Sequence, residues 1–371
     1  MKKLSLTLLS LTLSVCCFAS ENTDTLTVAD NTTKTGIGFA TIYVKNKPSC
    51  STIANINGQF RLKNVNPGDS ITISSVGYNT LQTVCGRKEY SMTPSNFVLR
   101  EVVIRGDKFR KYMKEIWNNI RVNAPKPYPI LDGIYRQQIA INSHLAVAAE
   151  CDMKMIEPNF KESLINNAKV YISDKRAYVD PKLDFAKIFT FAMVPAGYPG
   201  IGEINPKSYK KFTYSIDKSY KDEQGNIITK IDFAKKDGKS KGYIYVNETN
   251  NAIIRFYFRR KIKNNDGVGS KLDVKDIYYT WNTTYQIYKN KYVHSYSRLE
   301  FEYNVCDKIT EQTKYKVNAI VDYKTDNIQE FNNNQGVSAF YKDSKTSPFV
   351  YIDNIKTSNK KVLKGIVTDY K

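Results

Sequence analysis

Ala40-Thr41-Ile42-Tyr43-Val44 and Asn57-Gly58-Gln59-Phe60-Arg61-Leu62 are the stretches whose reading decides the fold. In the first, Ala40, Ile42 and Val44 recur at period two, the spacing of a strand with one buried face. In the second, Asn57-Gly58 signals a tight turn, with Gly58 supplying its positive φ, and Phe60 and Leu62 resume the alternation. Working outward, 25–29 forms an earlier strand. Pro67-Gly68 makes a turn before Ile71 and Ile73, and Gly77 lets the chain kink within Val76-Gly77-Tyr78. A further strand runs to Val84, and Phe97, Leu99 and Val102-Val103-Ile104 close the set. Seven or so short strands in about 80 residues is the spacing of a β-sandwich. The sequence therefore predicts a sandwich over 25–105.

The period then changes. Phe109, Tyr112, Met113, Ile116, Trp117 and Ile120 fall on one stripe of an amphipathic helix. Asp107 is placed to cap its start, and the residue before Pro125 disfavours helical backbone, so the helix should cover 107–123. Such a stripe packs on a sheet in soluble proteins. Pro125-Lys126-Pro127-Tyr128-Pro129 completes a stiff linker, so 106–130 joins two folded parts.

From 131 to 330 the pattern is strand after strand: 134–141, 169–178, 212–216, 227–233, 242–246, 252–258, 276–288, 292–303 and 314–323. The short turns between them make an antiparallel meander, a curved sheet or half-barrel with few helices. Of the 27 tyrosines, 22 lie from 131 onward, where they suit a half-buried pleated surface and can line a ligand groove. A short helix is expected over 184–194, a loop over 194–206, and a polar tail over 331–371 apart from Phe349-Val350-Tyr351-Ile352.

Gly38-Phe39-Ala40-Thr41-Ile42-Tyr43-Val44, Asn57-Gly58-Gln59-Phe60-Arg61-Leu62, Ser74-Ser75-Val76-Gly77-Tyr78 and Leu99-Arg100-Glu101-Val102-Val103-Ile104 together resemble the carboxypeptidase-like regulatory domain. That resemblance implies a transthyretin/Ig-like sandwich, a non-catalytic accessory to zinc carboxypeptidases that also occurs in Gram-negative envelope proteins. Cys50 departs from the family's small residue. The helix, the Pro-rich linker and Leu131-Asp132-Gly133-Ile134-Tyr135-Arg136 resemble a second block of the same envelope family, with Ile134 where Phe is usual. Members often continue into a large outer-membrane barrel; this chain is read as the short form without it. The stretch 241–254 is similar to the central hairpin of periplasmic lipoprotein-carrier half-barrels.

Lys2-Lys3, the apolar 4–15 and Cys17-Phe18-Ala19 read as an export signal over 1–19. Val15 before Cys16, and Cys16 before Cys17, do not fit a lipid-anchor site, and no later stretch is apolar enough for a transmembrane helix. The chain carries 56 basic and 36 acidic residues, a net +20. With 44 Lys against 12 Arg, this charge reads as solvated surface and not as a nucleic-acid site. Export would leave Cys50, Cys85, Cys151 and Cys306, an even number that permits disulfides, with Cys50–Cys85 and Cys151–Cys306 tried first; four free thiols are the alternative.

Catalytic signatures are missing. Neither His144 nor His294 begins a His-x-x-Glu zinc motif. There is no Gly-x-Ser-x-Gly, and Ser208–Lys211 and Ser358–Lys361 are pairs that a Lys-rich chain produces by chance. Asn264-Asn265-Asp266-Gly267 is too poor in carboxylates for a calcium loop. The sequence thus predicts an exported, non-enzymatic envelope protein without cofactor or metal, binding a protein, glycan or lipid. A lipid or lipoprotein carrier built on a half-barrel and a small outer-membrane barrel are the alternatives.

Overall fold

The computed structural model describes residues 25–47, 50–62, 64–95, 107–156, 169–180, 192–193, 208–222, 224–262, 271–330 and 349–350. The expected export signal at 1–19, the strands at 97–104, the loop at 194–206, Asn264-Asn265-Asp266-Gly267, the Ser358–Lys361 pair and nearly all of the 331–371 tail lie outside the described residues, as do Cys16 and Cys17.

Among the described residues the N-terminal unit holds seven strands: β1 (Leu26–Asp30), β2 (Thr41–Val44), β3 (Thr52–Ile53), β4 (Gln59–Phe60), β5 (Ser70–Ser74), β6 (Leu81–Val84) and β7 (Glu89–Met92). They form two sheets, β4-β1-β7 and β3-β2-β5-β6. The period-two residues Ile42, Val44, Phe60, Ile71 and Ile73 meet in one buried cluster with Val28, Tyr90 and Met92. Gly58 takes φ +77, and a Cβ there would sit 2.4 Å from the Val28 carbonyl oxygen, so the turn requires glycine. The strand β7, which pairs parallel to β1, was not expected. Its four residues alternate, with Tyr90 and Met92 inward, but are too few to stand out in the sequence.

The C-terminal unit is a single antiparallel sheet. Its strands are β8 (Ile130–Ile141), β9 (His144–Ile156), β10 (Lys169–Val179), β12 (Phe212–Lys221), β13 (Ile227–Lys235), β14 (Ser240–Asn247), β15 (Ala252–Lys261), β16 (Leu272–Tyr288), β17 (Lys291–Asp307) and β18 (Thr313–Gln329). The order is β10-β9-β8-β18-β17-β16-β15-β14-β13-β12, so β8 closes onto β18 and the ends β10 and β12 do not pair with each other. The sheet is open, which overturns the alternative of a closed outer-membrane barrel. A separate ladder joins β11 (Ala192–Met193) to β19 (Phe349–Val350), so 192–193 is strand and not the expected helix. The strand β9 was also unexpected. Its Ala146-Val147-Ala148-Ala149 run is buried on both faces and built from a residue with little strand preference, so it shows no alternation.

The helix α1 spans Asp107–Asn123, as its stripe predicts. Met113, Ile116, Trp117 and Ile120 enter one continuous core with Leu131, Met153, Phe233, Ile244, Phe256, Trp281, Leu299 and Val321 from one face of the sheet. Ten strands laid flat would be about 43 Å across at the usual spacing, far wider than a helix about 10 Å in diameter, so a shared core requires the sheet to curl. β-Bulges such as Ile216/Lys218, Tyr245/Val246 and Thr284/Tyr285 supply the bends. Lys291 Nζ donates to the Val122 carbonyl at 2.7 Å and Asn123 Nδ2 to the Asn250 carbonyl at 3.1 Å, tying the helix C-terminus to the sheet.

Inside this core His294 is fully buried and stacks on Tyr323 with ring centroids 5.3 Å apart. Its Nε2 lies 2.7 Å from Ser297 Oγ and its Nδ1 3.3 Å from Thr325 Oγ1. Ser297 Oγ meets Thr283 Oγ1 at 3.0 Å, which accepts from Trp281 Nε1 at 2.7 Å. Burial lowers the His294 pKa to about 3.

Cys50, Cys85, Cys151 and Cys306 form no disulfide in this structure. Register aligns Cys151 through Tyr135 and Tyr323 with Ser297, nine residues along β17 from Cys306, which is about 30 Å and far beyond a disulfide. The expected Cys151–Cys306 pairing is thereby corrected. Cys50 and Cys85 pack against one cluster, and the Lys47–Asp69 ion pair at 2.6 Å links their loops. The Cys50 amide donates to Lys47 O and the Cys85 amide to Asp69 O.

Two outcomes follow from this core. Trp117→Ala should lower unfolding free energy by about 3–5 kcal/mol in denaturant titration, the cost of emptying a large buried site; a loss under about 1 kcal/mol would mean the helix is not part of the core. The imidazole is neutral when folded but binds a proton below pH ~6.5 when unfolded, so its contribution is present above that value and is lost as pH falls toward 3. Between pH 6.5 and 5 stability should therefore drop by up to about 1.4 kcal/mol per unit, and His294→Gln should flatten that slope in thermal melts; an unchanged slope would contradict the buried neutral ring.

Candidate binding cleft between the sandwich and the sheet

Residues on the two faces of the curled sheet differ in kind. The face under α1 is apolar. On the other face one register row runs Ser215, Asp232, Tyr243, Tyr257, Asn282, Arg298, Asp322, Arg136, Glu150 across nine strands. Its charges alternate and pair. Arg298 grips Asp322 through Nε at 2.7 Å and Nη2 at 3.1 Å, and Arg136 Nε reaches Glu150 at 2.9 Å. Cross-strand pairs of opposite charge stabilise a sheet and fix its register.

The sandwich sits on this polar face. Phe39 and Ile53 pack against Tyr257 and Tyr296, and Val76 packs with Tyr220, Ile228, Tyr245 and Ile254. Ile254 reaches this face because it is the extra residue of the Tyr245/Val246 bulge. Between the two units lies a cleft of about 370 Å³. Phe39, Val76, Ile228 and Ile254 give it an apolar floor, while Ser74, Ser75, Thr80, Ser95, Thr284 and Ser295 surround it with hydroxyls. A Cβ on Gly77 would stand 3.8 Å from the Tyr220 ring, an ordinary contact, and it is the φ of +94 that favours glycine there. Burial first, and Tyr245 next, hold the Tyr220 hydroxyl well above its ordinary pKa, keeping it neutral. Burial alone would raise the Asp30 carboxyl, yet the Thr33 amide and the Tyr78 hydroxyl hold it below the usual range. The Tyr78 hydroxyl at the cleft rim is thereby fixed on Asp30 at 2.9 Å.

Arg255 also lines the cleft and is 4% exposed. Its Nε donates to Asn282 Oδ1 at 3.2 Å and its Nη2 to the Gly38 carbonyl at 3.4 Å, across 217 residues of sequence. The guanidinium lies over the rings of Phe39 at 5.4 Å and Tyr243 at 5.8 Å. A second groove, about 540 Å³, opens at β12–β15 beside the stacked Tyr243 and Tyr257 rings. Its carboxylate, Asp232, is 3.3 Å from Lys230, so that charge is already met within the chain.

The residues singled out in sequence as catalytic candidates do not converge. His144 is exposed at the β8–β9 hairpin and aligns through Ile141 and Val317 with Tyr303, nine residues along β17 from His294 and about 30 Å away. Ser208 precedes the short 3-10 turn Tyr209–Lys211, and the Lys211 amide donates to the Ser208 carbonyl at 2.9 Å. Among the described residues no group of three or more His, Cys, Asp or Glu is placed to hold a metal ion, and no helix is long and apolar enough to cross a membrane. Arg255, Phe39 and Tyr220 were not singled out. The one available sign was a lone cation inside the apolar run Ile253-Ile254-Arg255-Phe256-Tyr257-Phe258.

Comparison with known proteins bears on the sandwich. No curated protein matches the sequence. The solved structure of a LolA superfamily protein from Nitrosomonas europaea aligns with 10% identity over 60% of this chain and 94% of its own, at a TM-score of 0.20, which is too low to carry an argument. The model of the CarboxypepD_reg-like domain, a non-catalytic family, matches residues 27–107. Its sequence match and its two-sheet fold agree, so residues 27–107 of this chain are similar to a CarboxypepD_reg-like domain.

Proposed function

We propose that this chain is an exported, non-catalytic binding protein of the Gram-negative cell envelope, and that its ligand enters the cleft between sandwich and sheet. The observation that carries this reading is the shared lining of the cleft, in which Val76 and Ser75 of the regulatory-like domain face Tyr220, Ile254 and Arg255 of the sheet. A site built from both units gives the accessory domain a direct part in binding, and its size and mixed lining suit a small ligand. A lipid carrier would need an open apolar concavity. Among the described residues that face is occupied by Met113, Ile116, Trp117 and Ile120 of α1.

A fragment screen read by amide exchange tests the reading. Bound fragments should slow exchange at Val76, Tyr220 and Ile254. Protection confined to the apolar face beneath α1, or a lipid retained through purification, would replace it with the carrier. Export has its own readout: mass spectrometry of osmotic-shock fluid should find the chain shortened near Ala19. A full-length chain confined to the cytoplasm would refute export.

A further inference from the structure

The strongest unexplained feature of the cleft is the charge of Arg255. Only 4% of this residue is exposed, and among the described residues no carboxylate lies within ion-pair distance of it. Both of its hydrogen bonds go to neutral oxygens, those of Asn282 and Gly38. Its cross-strand partners are Tyr245 and Thr284, its diagonal neighbours include Tyr243 and Asn282, and Tyr257 follows two residues along its own strand, none of them acidic. The one carboxylate of the lining, Asp222, accepts from the amides of Gln224 and Asn226 and from the Asn226 side chain, closing its own turn.

The rest of this face is organised differently. Arg298 has Asp322, Arg136 has Glu150, Lys230 has Asp217 and Arg259 has Glu302. A buried cation without a counter-charge is costly, and the ring faces of Phe39 and Tyr243 offset only part of that cost. The chain's net +20 adds repulsion and offers no relief. Acceptors are short locally as well, because Asn282 Nδ2 is buried without a partner.

We propose that the cleft binds a small organic carboxylate, with its carboxylate on the Arg255 guanidinium and its apolar body on Phe39, Val76, Ile228 and Ile254. A planar guanidinium matches one carboxylate through two parallel hydrogen bonds. A single cation suits a monoanion, whereas a phosphate dianion would call for more than one. The hydroxyls of Ser74, Ser75 and Ser295 stand around the opening to take further polar groups of the ligand. This inference rests on the proposed function, since it names the ligand class of the same cleft.

Octanoate and its uncharged counterpart octanol, titrated calorimetrically into the full chain, separate the two claims. Octanoate should bind saturably and octanol about tenfold or more weakly. Arg255→Gln should bring the two together, and Ser75→Trp, which puts a bulky ring on the sandwich wall of the cleft, should abolish both. Should Arg255→Gln fail to fold, the contrast between the two probes and the Ser75→Trp result still decide. Equal affinity of octanol and octanoate, or no octanoate binding at all, would overturn carboxylate recognition while leaving the cleft as a site for other ligands. Octanoate binding that survives Ser75→Trp would place the ligand elsewhere and count against both the inference and the reading beneath it.

Discussion

The packing of one helical stripe into one face of the curled sheet is the constraint on which the rest of this structure depends. A sheet with Phe233, Phe256, Phe258, Trp281 and Leu299 on one side cannot leave that side to water. Met113, Ile116, Trp117 and Ile120 cover it, and the sheet bends around them. The His294–Ser297–Thr283–Trp281 chain shows how completely the face is withdrawn from solvent, because its polar atoms are met by one another. This Ser–His contact is an internal device of the core and not a nucleophile with access to substrate.

With one face filled, the opposite face is left to carry contacts. Its paired row from Arg298 to Glu150 fixes the register of four neighbouring strands. Its tyrosines receive the regulatory-like domain through Phe39, Ile53 and Val76. Arg255 stands at this junction, reaching Asn282 within the sheet and Gly38 in the sandwich. The accessory domain is thus more than an appended module: its residues complete a wall of the cleft.

Much of the architecture was legible in the sequence. The stripe from Phe109 to Ile120 specifies both the existence and the buried face of α1, since helical period is a local property. Asn57-Gly58 specifies a tight turn for the same reason, while the strands on either side of it, β3 and β4, go to different sheets. The Ala-rich β9 and the short β7 were not legible, because burial on both faces, or four residues alone, erases the alternation that marks a strand. The barrel alternative failed on a long-range fact, that the sheet ends β10 and β12 do not pair with each other, which no local pattern encodes. Arg255 was invisible for a similar reason. Its meaning depends on Gly38 and Phe39, brought to it by the docking of two units, and on the absence of an acid from rows that only the register defines.

Hydrogen exchange at α1 tests the central claim most directly. If the helix closes the apolar face as part of one core, amides from Met113 to Ile120 should exchange only through global unfolding, with the same free energy as the amides of β15 and β16. Exchange at these amides several kcal/mol below the global value, with the sheet still protected, would show a helix that leaves its groove in the native state and would contradict the account.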